Sequence, residues 1–168
     1  MSIERAFNDA LAYERRIRDQ YLEAAKEAFI PEARAFYEIL ARDEDSHVAY
    51  IEHKLAEWRN TGAMSLGGLV SELPPAAALN AAIAKAKASF KGIAEGGKPG
   101  ALANALKAEE ETSAFYRSMV GELPEGARQV FARLLEIEDG HTAIVRAELD
   151  LVSATGHWFD LREFDMEE

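Results

Sequence analysis

The sequence predicts an all-α fold: a four-helix bundle made of two helical hairpins, joined by a crossover segment that contains a short helix. Three observations predict it. Apolar residues recur at threes and fours through four long stretches, which is the spacing of one helical face. Turns bearing Gly or Pro separate these stretches. The second half of the chain repeats the order of special residues found in the first.

Ile3 to Phe29 reads as the first helix, with Phe7, Ala10, Leu11, Ile17, Tyr21, Ala24, Ala25 and Ala28 on one stripe and Ser2 as its N-cap. Pro31 suits the first turn of a second helix, which runs to about Trp58 and stops near Asn60-Thr61-Gly62. A loop continues through Gly67-Gly68 to Pro74-Pro75. An Ala-rich helix follows from about Ala76 to Ile93, and Gly96-Gly97-Lys98-Pro99-Gly100 breaks it. Another helix covers about Ala101 to Val120. Gly121-Glu122-Leu123-Pro124 turns the chain, and the last long helix ends near Thr155. The tail from Gly156, with His157, Trp158, Phe159, Leu161 and Phe164, is aromatic and is expected to dock on the bundle. The chain thus reads as one domain of 168 residues, with hairpins at about 3–60 and 100–155, a crossover at 61–99 and a tail at 156–168.

The formal charge of −11 argues against nucleic acid and anionic membrane as partners. The absence of cysteine excludes disulfides, thiolate metal sites and thiol catalysis. No apolar run approaches the roughly 20 residues that span a bilayer. The N-terminal segment has no basic-then-apolar signal, so a cytoplasmic location is expected.

The hairpins repeat in register. Glu14 and Glu109 are 95 residues apart, as are Tyr21 and Tyr116, while Glu44 and Glu138, and His47 and His141, are 94 apart. Each Glu-x-x-His pair sits on one helical face, where a single metal ion can lie between carboxylate and imidazole. Tyr37, Leu40, Ala41 and Ile51 flank one pair, and Phe131, Leu134, Leu135 and Val145 flank the other, so both faces point to a core. Glu14 and Glu109 lie on the apolar stripes of their own helices. A bare carboxylate buried beside an imidazole is costly unless something compensates, and a cation does.

One Glu on each of two helices, with Glu-x-x-His on each of the other two, is the pattern of carboxylate-bridged two-metal bundles. The expected ligands are Glu14, Glu44, His47, Glu109, Glu138 and His141. Glu44 and Glu138 would bridge two ions, Glu14 and Glu109 would be terminal, and each His would bind one ion. This ligation without sulfur suits two iron ions, with manganese or zinc as alternatives. Tyr21 and Tyr116 lie two turns from their Glu on the same face, placed to hydrogen-bond ligand carboxylates or to fill the core. Asp43 is set to orient a His of the other hairpin, but its counterpart is Ile137, and a solvated Asp is the expectation. Glu110 and Glu111 point about 100° and 200° away from Glu109 and are expected at the surface. His53 and His157 have no partner at ligand spacing. Lys85, Lys87 and Lys91 form a solvated face.

On the motifs Glu14-x6-Tyr21, Glu44-x2-His47, Glu109-x6-Tyr116 and Glu138-x2-His141, the chain resembles the ferritin-like superfamily, and within it the rubrerythrin-type proteins. The likeness runs from Ala6 to the aromatic tail. It implies a non-haem di-iron oxidoreductase that reacts with hydrogen peroxide or dioxygen, often as a homodimer. Rubrerythrins usually carry a rubredoxin domain with a four-cysteine iron. This chain has no cysteine, so electrons must come from an external donor protein. Typical members also place a second carboxylate one turn from the ligand that Glu109 matches; here those positions are Leu106 and Thr112. The alternative reading is an iron-binding ferroxidase that handles iron as substrate. A third is a helical scaffold with a structural metal. The short tail lacks the long fifth helix of ferritin cages, which ranks storage lower.

Overall fold

The computed structural model describes residues 1–89 and 99–162. Five α-helices run in chain order: α1 Ile3–Glu27, α2 Pro31–Thr61, α3 Ala76–Ser89, α4 Gly100–Glu122 and α5 Glu125–Thr155. There is no strand among the described residues. The expected break at Gly96 to Lys98, the end of the third helix near Ile93, Lys91, and Phe164 of the tail lie outside the described residues.

The helix ends follow from their residues. The Ser2 side chain accepts the Arg5 N–H at 3.3 Å and so caps α1. Pro31 opens α2, where a missing N–H costs nothing. Gly62 and Gly156 end α2 and α5 with φ of 69° and 71°, the left-handed conformation that glycine adopts without strain. Two helix ends shift from expectation: α1 stops at Glu27, two residues before Phe29, and α4 runs past Val120. Gly121 and Glu122 continue α4, and the turn contracts to Leu123 and Pro124. Pro124 is the N-cap of α5.

α1 packs along α2, and α4 along α5, giving the two expected hairpins. α1 also lies directly on α4, and α3 packs on α5. α2 and α5 stand farther apart, and polar side chains occupy the space between them. Two apolar clusters close that space at either end. One is built on Ile17, Phe36, Leu40, Leu102, Val145 and Leu151. The other is built on Phe7, Leu11, Ile51, Phe131 and Leu134, with Phe7 and Phe131 meeting edge to face at 5.0 Å between ring centroids. Fully burying each such side chain contributes about 1.5–3 kcal/mol, which is what can offset polar groups held between the clusters.

Polar contacts tie the crossover down. Lys54 is buried, and its ammonium donates to the Ser65 carbonyl at 2.7 Å and hydroxyl at 2.8 Å. Farther on, Ser71 and Glu72 bind Asp43 of α2. The tail docks as expected: Trp158, Phe159 and Leu161 are buried, and the Trp158 ring lies 5.5 Å from that of Tyr37. Lys85 and Lys87 are exposed. None of the helices among the described residues is long and apolar enough to cross a membrane.

Candidate metal centre

All six expected ligands are buried at one level of the bundle, each with 0–1% of its surface exposed. Ligand atoms of Glu44, His47, Glu138 and His141 lie within 4.8 Å of one another, a group that could hold a metal ion. Periodicity explains the placement. Glu44 and His47 are one turn apart on α2, and Glu138 and His141 are one turn apart on α5, so each pair projects into the space between those helices.

Glu44 offers one oxygen to each imidazole: Oε2 lies 3.2 Å from His47 Nδ1, and Oε1 lies 2.9 Å from His141 Nδ1. Glu14 Oε2 is 3.2 Å and Glu138 Oε1 is 3.0 Å from His47 Nδ1, and Glu109 Oε1 is 3.9 Å from His141 Nδ1. Both Nδ1 atoms therefore face the carboxylates. The two rings stack with centroids 5.2 Å apart and planes 18° apart.

The tyrosines reach across the repeat. Tyr21 of α1 donates to Glu109 of α4, and Tyr116 of α4 donates to Glu14 of α1. Burial raises both phenols well above their ordinary range, and the neighbouring carboxylates add to the shift. Both stay neutral and act as donors.

Several polar atoms here are buried without a hydrogen-bond partner: both oxygens of Glu138, Oε2 of Glu109 and Nε2 of His47. The 3.0 Å approach of Glu138 to His47 lacks the alignment of a hydrogen bond. Burial, and then repulsion from neighbouring carboxylates, raises the pKa of Glu44 and raises that of Glu109 farther. Burial alone would depress the two histidines. The carboxylates around them, Glu44 first, outweigh it and hold both imidazoles well above their usual range. Unpaired buried oxygens, and carboxylates whose charged forms burial and mutual repulsion disfavour, are the signs of a donor set that fits cations.

Asp43 corrects the expectation of a solvated side chain. It is fully buried, and its Oδ2 lies 2.8 Å from His141 Nε2, across the two hairpins. The Ser71 hydroxyl and the Glu72 N–H donate to it at 2.6 and 2.7 Å. Burial pushes the Asp43 pKa up, but His141 and these donors prevail and hold it at about 2. The expectation failed because the compensating donors come from the crossover, which carries no periodic signal.

Glu110 and Glu111 do not join the site. Glu110 pairs with Arg146 at 2.5 Å and Glu111 with Arg16 at 3.0 Å, all at the surface. Thr112, one turn after Glu109, is buried and donates to the Ala108 carbonyl at 3.0 Å. His53 is exposed.

Sequence reasoning passed over Glu148. It is fully buried on α5, two turns beyond His141 on the same face, and accepts the Phe159 N–H at 2.9 Å. Burial raises its pKa to about 8. Its flanks Ile144, Val145, Leu151 and Val152 form an apolar stripe that could have revealed it.

An open cleft of about 470 Å³ between α1 and α4 is lined by Tyr21, Ala105, Ala108 and Lys107, among others. A small solute in it stands one side chain from the centre, because Tyr21 is bonded to Glu109. Comparisons with protein-family models, with curated proteins and with solved structures return no match.

Proposed function

We propose that this chain is a non-haem di-iron oxidoreductase whose oxidant is hydrogen peroxide or dioxygen. The observation that carries the reading is the enclosed set of four carboxylates and two imidazoles, with both Glu138 oxygens unpartnered. Four carboxylates match the charge of two divalent ions. Iron, when bound, supplies Lewis acidity and one-electron redox steps.

The chain's own residues would do the rest. Glu44 and Glu138 would bridge, Glu14 and Glu109 would be terminal ligands, and His47 and His141 would present Nδ1. Tyr21 and Tyr116 hold the two terminal carboxylates in place. The apolar clusters exclude bulk water, and the α1–α4 cleft admits a small oxidant. Reducing equivalents would come from a donor outside these 168 residues, which hold no cysteine for an iron–thiolate centre.

One observation favours a second reading, a ferroxidase that handles iron as substrate. Thr112 faces its own helix backbone and Glu110 and Glu111 are engaged at the surface, so no spare carboxylate stands within a turn of Glu109 to exchange with a histidine during redox change. Anaerobic iron loading followed by stopped-flow mixing separates the two. The oxidoreductase is oxidised faster by hydrogen peroxide than by air and keeps its iron. Equal rates, or ferric iron leaving to form a mineral, favour the ferroxidase.

A further inference from the structure

The repeat that sets the two halves of the centre in correspondence breaks at one position. The offset of 94 residues that relates Glu44 to Glu138 and His47 to His141 also relates Asp43 to Ile137. Asp43 Oδ2 lies 2.8 Å from His141 Nε2 but 3.8 Å from His47 Nε2, beyond hydrogen-bond range. His47 Nε2 is buried and has no hydrogen-bond partner. Ile137 is a buried apolar residue packed in the cluster with Phe131 and Leu134. One imidazole is thus anchored at both nitrogens and the other only at Nδ1.

The anchor is itself held by the crossover. The Ser71 hydroxyl and Glu72 N–H fix both oxygens of Asp43, at 2.6 and 2.7 Å, so the aspartate cannot turn away from His141. An anionic partner on the far nitrogen fixes a ligand imidazole's orientation and tautomer and raises its basicity. Losing such a partner typically lowers metal affinity by about 10–100-fold.

We propose that the two metal positions are unequal. The one served by His141 fills first and holds its ion more tightly, with Asp43 and the Ser71–Glu72 turn as its positioning residues. The one served by His47 fills second and exchanges more readily. This rests on the two-metal reading above, and extends it by assigning an order to the positions and a cause for that order.

Anaerobic titration of the full chain with cobalt(II), followed by visible absorption and calorimetry, tests it. Wild type should bind in two steps separated by about tenfold or more. His141→Ala should abolish the tight step, and His47→Ala the weak one. Asp43→Asn should weaken the tight step by about 10–100-fold and leave the weak step within a few-fold. Ser71→Ala should move the tight step in the same direction by a smaller factor. General loss of fold would weaken both steps together, and thermal melts of the metal-free variants check for it. Two equal steps in wild type, or an Asp43→Asn effect shared evenly by both steps, overturn the inequality and leave the two-metal reading standing. Absence of cobalt binding overturns both.

Discussion

Tyr21 of α1 donates a hydrogen bond to Glu109 of α4, and so joins a side chain of the first hairpin to a carboxylate of the second. Tyr116 does the same in reverse with Glu14. Replacing Tyr21 by Phe removes the donor and leaves Glu109 Oε1 buried without its hydrogen bond. Tyr21→Phe should cost about 1–3 kcal/mol in the metal-free protein. It should also lower metal affinity by about 10–100-fold. Thermal melts and competition with a chelator measure the two effects. A variant that binds metal like wild type would mean that the tyrosine only fills the core.

Metal should stabilise the fold strongly. Burial and mutual repulsion raise the pKa of Glu44 and Glu109 in the metal-free chain, so their charged forms are disfavoured until a cation compensates them. Ions that bind only the folded chain raise its stability by about 4 kcal/mol at a thousandfold excess over Kd. The melting temperature of the iron- or zinc-loaded protein should exceed that of chelated protein by several degrees or more. Coincident melts would show that the residues are not a buried metal site.

Glu148 makes a prediction in pH. Its folded pKa is raised to about 8 by burial, while an unfolded glutamate ionises near its ordinary value of 4.5. Between those values the folded chain holds a proton that the unfolded chain has lost, so this group's contribution to stability falls as pH rises. The contribution is fully present below about pH 4.5 and lost by about pH 8. Glu148→Gln keeps an acceptor for the Phe159 N–H and removes the titration. Its stability relative to wild type should grow from pH 5 to pH 8, at a rate of at most about 1.4 kcal/mol per pH unit. Melts of both proteins across that range check it. A difference that does not change with pH would place the Glu148 pKa in the ordinary range.

Much of this was legible in sequence because helices report themselves by period and punctuation. Pro31, Gly62 and Gly156 mark ends that the structure places at those residues. Glu14, Glu44, His47, Glu109, Glu138 and His141 stand on apolar stripes, and the structure brings all of them together. What escaped depends on irregular backbone. Asp43 is buried because Ser71 and Glu72, 28 and 29 residues away, supply its donors, and no spacing rule connects a loop to a helix. The turn before α5 was readable from Gly121 to Pro124, but Gly121 and Glu122 remain helical, so α4 ends two residues later than Val120. Glu148 was readable from its flanks, but it has no partner at ligand spacing to draw attention to it.

The central claim is that six side chains hold two ions in one enclosed site. Elemental analysis of purified, anaerobically iron-loaded protein, after removal of loosely bound metal, tests it most directly. The account predicts close to two ions per chain for wild type, because four carboxylates and two imidazoles converge there. It predicts about one or fewer for His141→Ala, which removes the only nitrogen donor of one position. A value near one for wild type that His141→Ala leaves unchanged would contradict it.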